Sequence, residues 1–417
     1  MSLADALKTA RPPEIVVKDT PVPKGWERGV DWSGNDGTVT TGPIDTEVNA
    51  AVWKELIADW GLDSEHVEVI DGSVKFKGWD TPVKGTTTGA TIRLRSYSAR
   101  VQQRGTATAE NMADVEALCR IASKKNPPRK QPPPLDAGTP LERGFLVNLA
   151  DTQIGKGEGD GSKGTVNRIS AATGRVLQRL TDFKKLGRQF DVVYVVGLGD
   201  LVEGCSGHYA SQTWSVDLNR RDQLKVVRRL ILQMVDDLVD AGYRVVLSGV
   251  AGNHGEQRGG GNKAITDPED NDDLAVIEQV GEILAANPER YAGVSVYVPE
   301  MLSMTLNICG VNVGFAHGHQ VKGAAKGEMN KIETWWLGQI GGNEPTAPAK
   351  ILITGHFHHF VYSEGGIGGR THFQCPAMDP GSRWFTDSSG KHSPAGLLTL
   401  GVGSAYGDRG YGDVEIL

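Results

Sequence analysis

Carboxylate, amide and imidazole groups recur in short motifs along this chain. They are Asp151-Thr152-Gln153, Gly199-Asp200-Leu201-Val202-Glu203, Gly252-Asn253-His254-Gly255-Glu256, His317 within Ala-His-Gly-His, and His356 with His358 within Gly-His-Phe-His-His. Oxygen donors mixed with imidazole suit Mn, Mg, Fe or Zn, and the lack of cysteine among them argues against a structural zinc site. The candidate ligands Asp151, Gln153, Asp200, Asn253, His317, His356 and His358 outnumber the roughly four to six that one ion takes. Two divalent ions sharing a carboxylate are the economical arrangement, and such ions ~3.5–4 Å apart activate water for in-line attack at phosphorus. A Gly-Asp or Asn-His pair alone reads as a turn. Gly-His-Phe-His is more specific, because alternate strand residues share a face and put His356 and His358 together.

Something must hold these motifs side by side. Each follows a short aliphatic run: Phe145 to Leu149, Val192 to Val196, Val245 to Leu247, Val311 to Phe315 and Ile351 to Ile353. Runs this short, bounded by Gly and polar residues, predict buried strands. Ligands at strand ends then meet along one rim of a sheet, where open α/β folds bind their ligands. Between the runs, Val166, Ile169, Val176, Leu177, Leu180 and Phe183 fall at helical spacing, as do Leu224, Val227, Ile231, Met234, Val235 and Leu238, and then Leu274, Ile277, Ile283 and Leu284. From about Val294 the pattern is mostly strand, with one interruption around Lys326 to Leu337. Helices early and strands late predict an α/β fold, a four-layer α/β/β/α sandwich over residues 142–417.

The N-terminal part differs. Residues 1 to about 45 are rich in Pro, Gly, Asp and Thr without periodicity. A helix over Glu47 to Trp60, strands over Val67 to Ile70, Val74 to Trp79 and Thr91 to Val101, and a helix over Ala109 to Ser123 predict a small α+β module spanning 1–125. Residues 126–141 form a basic, proline-rich linker, expected to be extended. With 39% hydrophobic and 23% charged residues the chain reads as a soluble protein, and it has no apolar run near ~20 residues to span a membrane. Met1 to Pro13 lacks the apolar core of a signal peptide, and Cys119, Cys205, Cys309 and Cys375 form no CxxC pair. Reduced thiols in a cytoplasm are the expectation. A net charge of −7 excludes a surface coated in positive charge. It leaves a polyanionic substrate open, since bound divalent ions invert the local field.

In order and type these motifs resemble the calcineurin-like metallophosphoesterase superfamily, whose pattern is DxH, GDxxD/E, GNHE/D, a lone His and GHxH. The resemblance covers about 150 to 360. Within the superfamily the chain looks like phosphoesterases of bacteriophages and, more loosely, the double-strand-break-repair nucleases. The resemblance implies the two-sheet sandwich and a dinuclear centre. In it Asp151, Gln153, Asp200 and His358 hold one ion, and Asp200, Asn253, His317 and His356 hold the other, with Asp200 bridging. His254 matches the non-ligand histidine that steadies a phosphate oxygen or protonates the leaving group. Two departures stand out. Gln153 occupies a position usually held by His; its neutral amide oxygen binds more weakly and leans toward Mn or Mg over Zn. Gly255 is inserted between His254 and Glu256, displacing the acid by one position, and is expected to let the loop take a positive φ.

The function so implied is hydrolysis of phosphodiester bonds by metal-activated hydroxide, with DNA as substrate in a phage-type nuclease working in the host cytoplasm, and with two ions, Mn ahead of Mg, Fe or Zn. Candidate substrate contacts are His208 and Tyr209, and the stripe of Arg221, Lys225 and Arg228 beside the apolar face of its helix. That stripe would track phosphates with salt-dependent binding, or be an ordinary solvated face. Glu203 is expected to orient a histidine or line the cleft, and His319 and His359 to lie at the surface or behind the ligands. Cys205 is expected to be a small half-buried residue, and Trp335 and Trp336 either pack a core or close over the site. The alternatives are a phosphodiesterase for cyclic or small nucleotides, a phosphoprotein phosphatase, or a catalytically weakened nucleic-acid-binding protein. Leu201-Val202-Glu203-Gly204-Cys205 lacks the Arg of phosphoprotein phosphatases and the proline-containing continuation common in the repair nucleases.

Overall fold

The computed structural model describes residues 22–33, 36–62, 64, 67–70, 73–82, 91–103, 128–130, 132, 141–205, 207–208, 212–259, 263–321, 327–364, 368–379, 381 and 393–417. The chain divides into two compact units, Met1–Thr106 and Ala107–Leu417. The helix expected over Ala109 to Ser123, most of the linker over 126–141, and Tyr209 lie outside the described residues.

In the first unit, β1 (Gly29–Ser33), β2 (Asp36–Thr40), β3 (Val67–Val69), β4 (Lys75–Pro82) and β5 (Thr91–Gln103) form an antiparallel sheet in which β5 pairs with β2, β3 and β4. Tyr97, Ala99 and Val101 of β5 alternate inward and meet Val52, Trp53, Leu56 and Ile57 of helix α1 (Ala50–Asp59). Asn49 starts that helix, its side-chain oxygen accepting from the N–H groups of Ala51 and Val52 at 3.0 Å.

The second unit carries the motifs. Its six-stranded sheet contains β6 (Gly144–Leu149), β7 (Val192–Gly197), β8 (Arg244–Gly249), β11 (Val294–Tyr297), β17 (Leu398–Val402) and β18 (Tyr411–Ile416), in the order β11-β8-β7-β6-β17-β18. β11, β8, β7 and β6 run parallel, and β17 runs antiparallel to both of its neighbours, β6 and β18. Long helices α2 (Gly161–Lys185), α4 (Arg220–Asp240) and α5 (Asp272–Ala285) follow β6, β7 and β8, while α3 (Gln212–Ser215) is a single turn. A two-stranded ribbon, β9 (Arg258–Gly259) with β10 (Lys263–Ala264), precedes α5. The other sheet orders β12 (Ser303–Ile308), β13 (Val311–Ala316), β14 (Ile351–Thr354), β16 (Thr371–Gln374) and β15 (Val361–Glu364), with β13, β14 and β16 parallel. Helix α6 (Glu328–Gly342) lies between β13 and β14, where the interruption of strand pattern was expected. Among the described residues no helix is long and apolar enough to cross a membrane.

Strand periodicity sorts the side chains into separate cores. Phe145, Val147 and Leu149 join Ile169, Val176 and Leu180 of α2 and Val227, Ile231 and Val235 of α4. The opposite face, through Leu146, Tyr194 and Val196, joins Val313 and Phe315 of β13 and Ile351 and Ile353 of β14. A third cluster joins Leu352 to Ile332 and Trp336 of α6. Each buried Val, Leu or Phe contributes about 1.5–3 kcal/mol, so the strand ends that carry the polar motifs are fixed by the parts behind them. Trp336 donates its indole N–H to Thr346 O at 3.0 Å and is a core residue; Trp335 packs beside it, part-buried.

Candidate metal centre

The C-terminal ends of β6, β7, β8, β13 and β14 open into the loops that hold Asp151 and Gln153, Asp200, Asn253 and His254, His317, and His356 and His358. These loops are tightly bent. Asp151, Gln153, Asp200, His356 and His358 all have positive φ, between 40° and 72°. A left-handed backbone costs a non-glycine residue of order 1–3 kcal/mol, and such strain clusters at functional sites. Glycines let the loops touch: a Cβ on Gly252 would stand 2.1 Å from the Asp200 N–H nitrogen, and one on Gly199 2.6 Å from Gly252 Cα. The chains carrying Asp200 and Asn253 therefore lie back to back.

One buried side chain clamps both of these loops. Asp273, in the first turn of α5, accepts from the N–H groups of Asp200, Leu201 and Gly252, each at 2.9 Å. Burial, followed by the nearby Asp200 carboxylate, pushes its pKa up to about 7. Asn271 caps the same helix and also donates to Gly252 O at 2.8 Å. Sequence reasoning missed Asp273, because an acid in a first helical turn reads as an ordinary dipole partner.

Asp200, His317 and His356 bring ligand atoms within 4.8 Å of one another. His317 is completely buried and its Nδ1 lies 2.6 Å from Leu198 O. Donation through Nδ1 leaves Nε2 facing Asp200 Oδ2 at 3.0 Å, where it pairs with the carboxylate while the ring is protonated and would offer its lone pair to a cation that took the proton's place. Asn253 Oδ1 is buried without a partner. An acceptor left unpaired inside a protein is expensive, and a cation beside it removes the cost. The electrostatics point the same way. Although burial opposes it, the carboxylates of Asp200 and then Asp151 push His317 up to about 9, so the site favours positive charge. For Asp200 the sign is opposite: burial raises its pKa, but His317, His254 and His356 outweigh that and hold the carboxyl well below its usual range. Burial, reinforced by His317, pushes His356 down to about 3 and keeps it a neutral donor. The residues fit a divalent ion here.

The second predicted half-site is assembled differently. His358 Nε2 lies 3.2 Å from Asp151 Oδ1, and the Asp151 carboxylate accepts from the His356 N–H at 2.9 Å. Gln153 Oε1 accepts at 3.0 Å from Nζ of Lys156, whose ammonium also pairs with Asp379. Both ends of that pair are buried. Burial alone would lower the Lys156 pKa, but Asp379 overrides it and the pKa is raised. Sequence reasoning missed Lys156 and Asp379. The second had a usable signal, since it follows the buried strand β16 much as Asp151 follows β6.

His254 is held by Glu203, with Nδ1 2.9 Å from Glu203 O and 3.3 Å from its carboxylate. Its Nε2 points to Asp200 Oδ2 at 4.0 Å. Burial opposes protonation, but Asp200 and Glu203 push its pKa up to about 10. Among the substrate candidates, His208 stacks flat on His254, centroids 4.3 Å apart. Its Nε2 is buried without a hydrogen-bond partner, and burial, then the His254 charge, pushes its pKa down to about 3. The basic stripe is largely occupied: Lys225 pairs with Asp222 at 2.9 Å and Arg228 donates to Gln279 at 2.7 Å, while Arg221 is exposed.

The remaining candidates have definite partners. Glu256 binds Arg258 and faces His319 Nε2 at 3.7 Å, and His359 Nε2 faces Glu328 at 3.3 Å. Cys205 is half-buried and receives a contact from Gln223 at 3.4 Å. The expectation for Gly255 is corrected: its φ is not positive. The position needs glycine because a Cβ there would stand 2.3 Å from Asn271 Oδ1, the cap that steadies the loop.

No protein-family model matches the sequence, and comparison with curated proteins finds no match. Several solved structures are similar in part. Vacuolar protein sorting 29 from Cryptosporidium parvum is 16% identical with a TM-score of 0.28, over 63% of this chain and 86% of that one. A conserved uncharacterized protein, predicted phosphoesterase, from Streptococcus pneumoniae is 11% identical with a TM-score of 0.26, over 63% and 84%. Phosphopantetheinyl hydrolase from Mycobacterium tuberculosis is 9% identical with a TM-score of 0.25, over 61% and 95%. At these scores the similarity decides neither fold nor activity.

Proposed function

We propose that the second unit is a metal-dependent phosphoesterase, with Asp200, Asn253, His317 and His356 as ligands of a divalent ion. One observation carries this reading: Asn253 Oδ1 is buried without a hydrogen-bond partner at the same strand ends as Asp200, His317 and His356, whose ligand atoms lie within 4.8 Å of one another. A divalent ion bound there supplies Lewis acidity and charge neutralisation for attack of water at phosphorus. The chain's own residues do the rest. Asp273 holds the Asp200 and Asn253 loops at fixed spacing. Glu203 holds the His254 ring and favours its protonated form, so Nε2 offers a proton to a phosphate oxygen or to the departing oxygen. His208 covers one face of that ring and limits its contact with water.

The finer reading is hydrolysis of phosphodiesters, with DNA as substrate, Mn as the ion and a host cytoplasm as setting. Its support is the resemblance to phage phosphoesterases, together with the exposed Arg221. The four-layer α/β/β/α arrangement belongs to the same reading and is supported by the three side-chain clusters that alternate with the two sheets. So does the division at a linker over 126–141. The deciding experiment incubates Mn-loaded protein with bis-p-nitrophenyl phosphate, single- and double-stranded DNA, RNA, cyclic nucleotides and a phosphopeptide. Hydrolysis that a chelator abolishes and Mn restores is expected. A metal-replete protein inert on every substrate sinks the proposal and favours a binding protein.

A further inference from the structure

We infer that the ammonium of Lys156 is the resident cation beside Asp151, Gln153 and His358, so that this centre takes a single divalent ion. The inference rests on the metal-dependent reading for the neighbouring position, and departs from the pair of ions that the motif count suggests.

Gln153 has one atom able to bind a metal, its Oε1, and Lys156 Nζ already donates to it at 3.0 Å. The ammonium is anchored from its other side by Asp379. Asp379 in turn faces His358 Nδ1 at 3.8 Å, and His358 Nε2 faces Asp151 Oδ1 at 3.2 Å. A continuous chain of close contacts therefore runs from Lys156 through Asp379 and His358 to Asp151. The contrast with Asn253 Oδ1, which has no hydrogen-bond partner, is direct.

The backbone makes this placement deliberate. Lys156 N–H donates to Gln153 O at 3.0 Å, turning the chain back on the ligand motif. Gly155 permits the turn: its φ is +114°, and a Cβ there would stand 2.3 Å from the buried Gln223 side chain. Lys156 and Asp379 are both buried, so little water is available to screen the charge. A divalent ion bound through Gln153 Oε1 would share that oxygen with a fixed positive charge. Ion and ammonium are therefore alternatives at this position.

The test is metal content, read without any assay of turnover. Full-length protein is saturated with Mn(II), dialysed, and measured for bound metal and for its electron paramagnetic resonance spectrum. Wild type is expected to hold a single ion with the spectrum of an isolated Mn(II). Lys156→Met should admit a second ion, with signal broadened by coupling between neighbouring ions, while Lys156→Arg should stay with one. Two coupled ions in wild type overturn the inference and leave the metal centre standing. A Lys156→Met protein that still holds one ion also overturns it. No ion in any variant sinks the metal-dependent reading, and the inference with it. Should Lys156→Met fail to fold, the double variant with Asp379→Asn removes both buried charges and replaces it.

Discussion

Two halves of one cluster of polar side chains, built from the loops at neighbouring strand ends, meet the same physical problem in opposite ways. Beside Asp200, His317 and His356, the Asn253 Oδ1 acceptor is buried and unpaired and the local field calls for a cation. At Asp151, Gln153 and His358, the chain brings its own cation, Lys156, and ties it to Asp379. A ligand motif by itself therefore does not count ions; the nearest positive side chain must be counted too. An ion at bonding distance from Gln153 Oε1 would stand roughly 4–5 Å from Nζ. At an effective dielectric of about 20 that repulsion is about 7–8 kcal/mol before the neighbouring carboxylates offset it.

The largest stability effect expected falls on the lysine half. Lys156→Met leaves Asp379 buried and uncompensated, which should destabilise metal-free protein by about 3–5 kcal/mol. Mn at about 100 times its dissociation constant should return about 2.7 kcal/mol, because a second ion then answers Asp379 and Asp151. Denaturant unfolding with and without Mn measures both. A loss that Mn does not reduce would mean that the two cations are not alternatives.

Asp200→Asn breaks the other half. The amide keeps the shape and removes the charge, so hydrolysis of a small diester should lose more than ~3 kcal/mol of transition-state stabilisation, over about a hundredfold. Near-wild-type turnover would contradict the assignment of Asp200 to the ion. Asp273→Asn touches no ligand atom, yet it puts an amide NH2 against the N–H groups of Asp200 and Gly252. It should cost about 2–3 kcal/mol of stability and weaken the bound ion by roughly 10–100-fold. Titration of Mn into metal-free protein reads the second effect. Unchanged affinity would reduce Asp273 to a helix cap.

The difference between the halves also marks what the sequence could tell. Strands β6, β7, β8, β13 and β14 were legible because short aliphatic runs bounded by polar residues have few other uses, and their trailing motifs came with them. The strand alternation read from Gly-His-Phe-His does not hold: β14 ends at Thr354, and His356 and His358 follow it in a loop with positive φ at both positions. Lys156 was not legible, because a lysine after a glycine reads as surface, and its partner Asp379 is 223 residues away. Long-range pairing of charges leaves no periodic trace. Gly255 shows the complementary failure: glycine was read as backbone freedom, whereas the position demands space beside Asn271. The stripe of Arg221, Lys225 and Arg228 was visible as a pattern. Its availability was not, since Asp222 and Gln279 are contacts that helical spacing only partly reveals.

That stripe gives the smallest expected effect, and it separates docking from chemistry. If DNA is the substrate, Arg221 is the exposed one of the three along this face, while Lys225 and Arg228 already hold Asp222 and Gln279. Replacing all three by alanine should therefore reduce the slope of log binding constant against log salt by about 1, the share of one phosphate contact, and not by about 3. Hydrolysis of bis-p-nitrophenyl phosphate should be unchanged, since the small diester needs no track. A slope change near the larger value would show that Lys225 and Arg228 leave their partners to meet phosphate. Equal loss of small-diester hydrolysis would instead show that the stripe supports the helix behind the ion-binding half of the site.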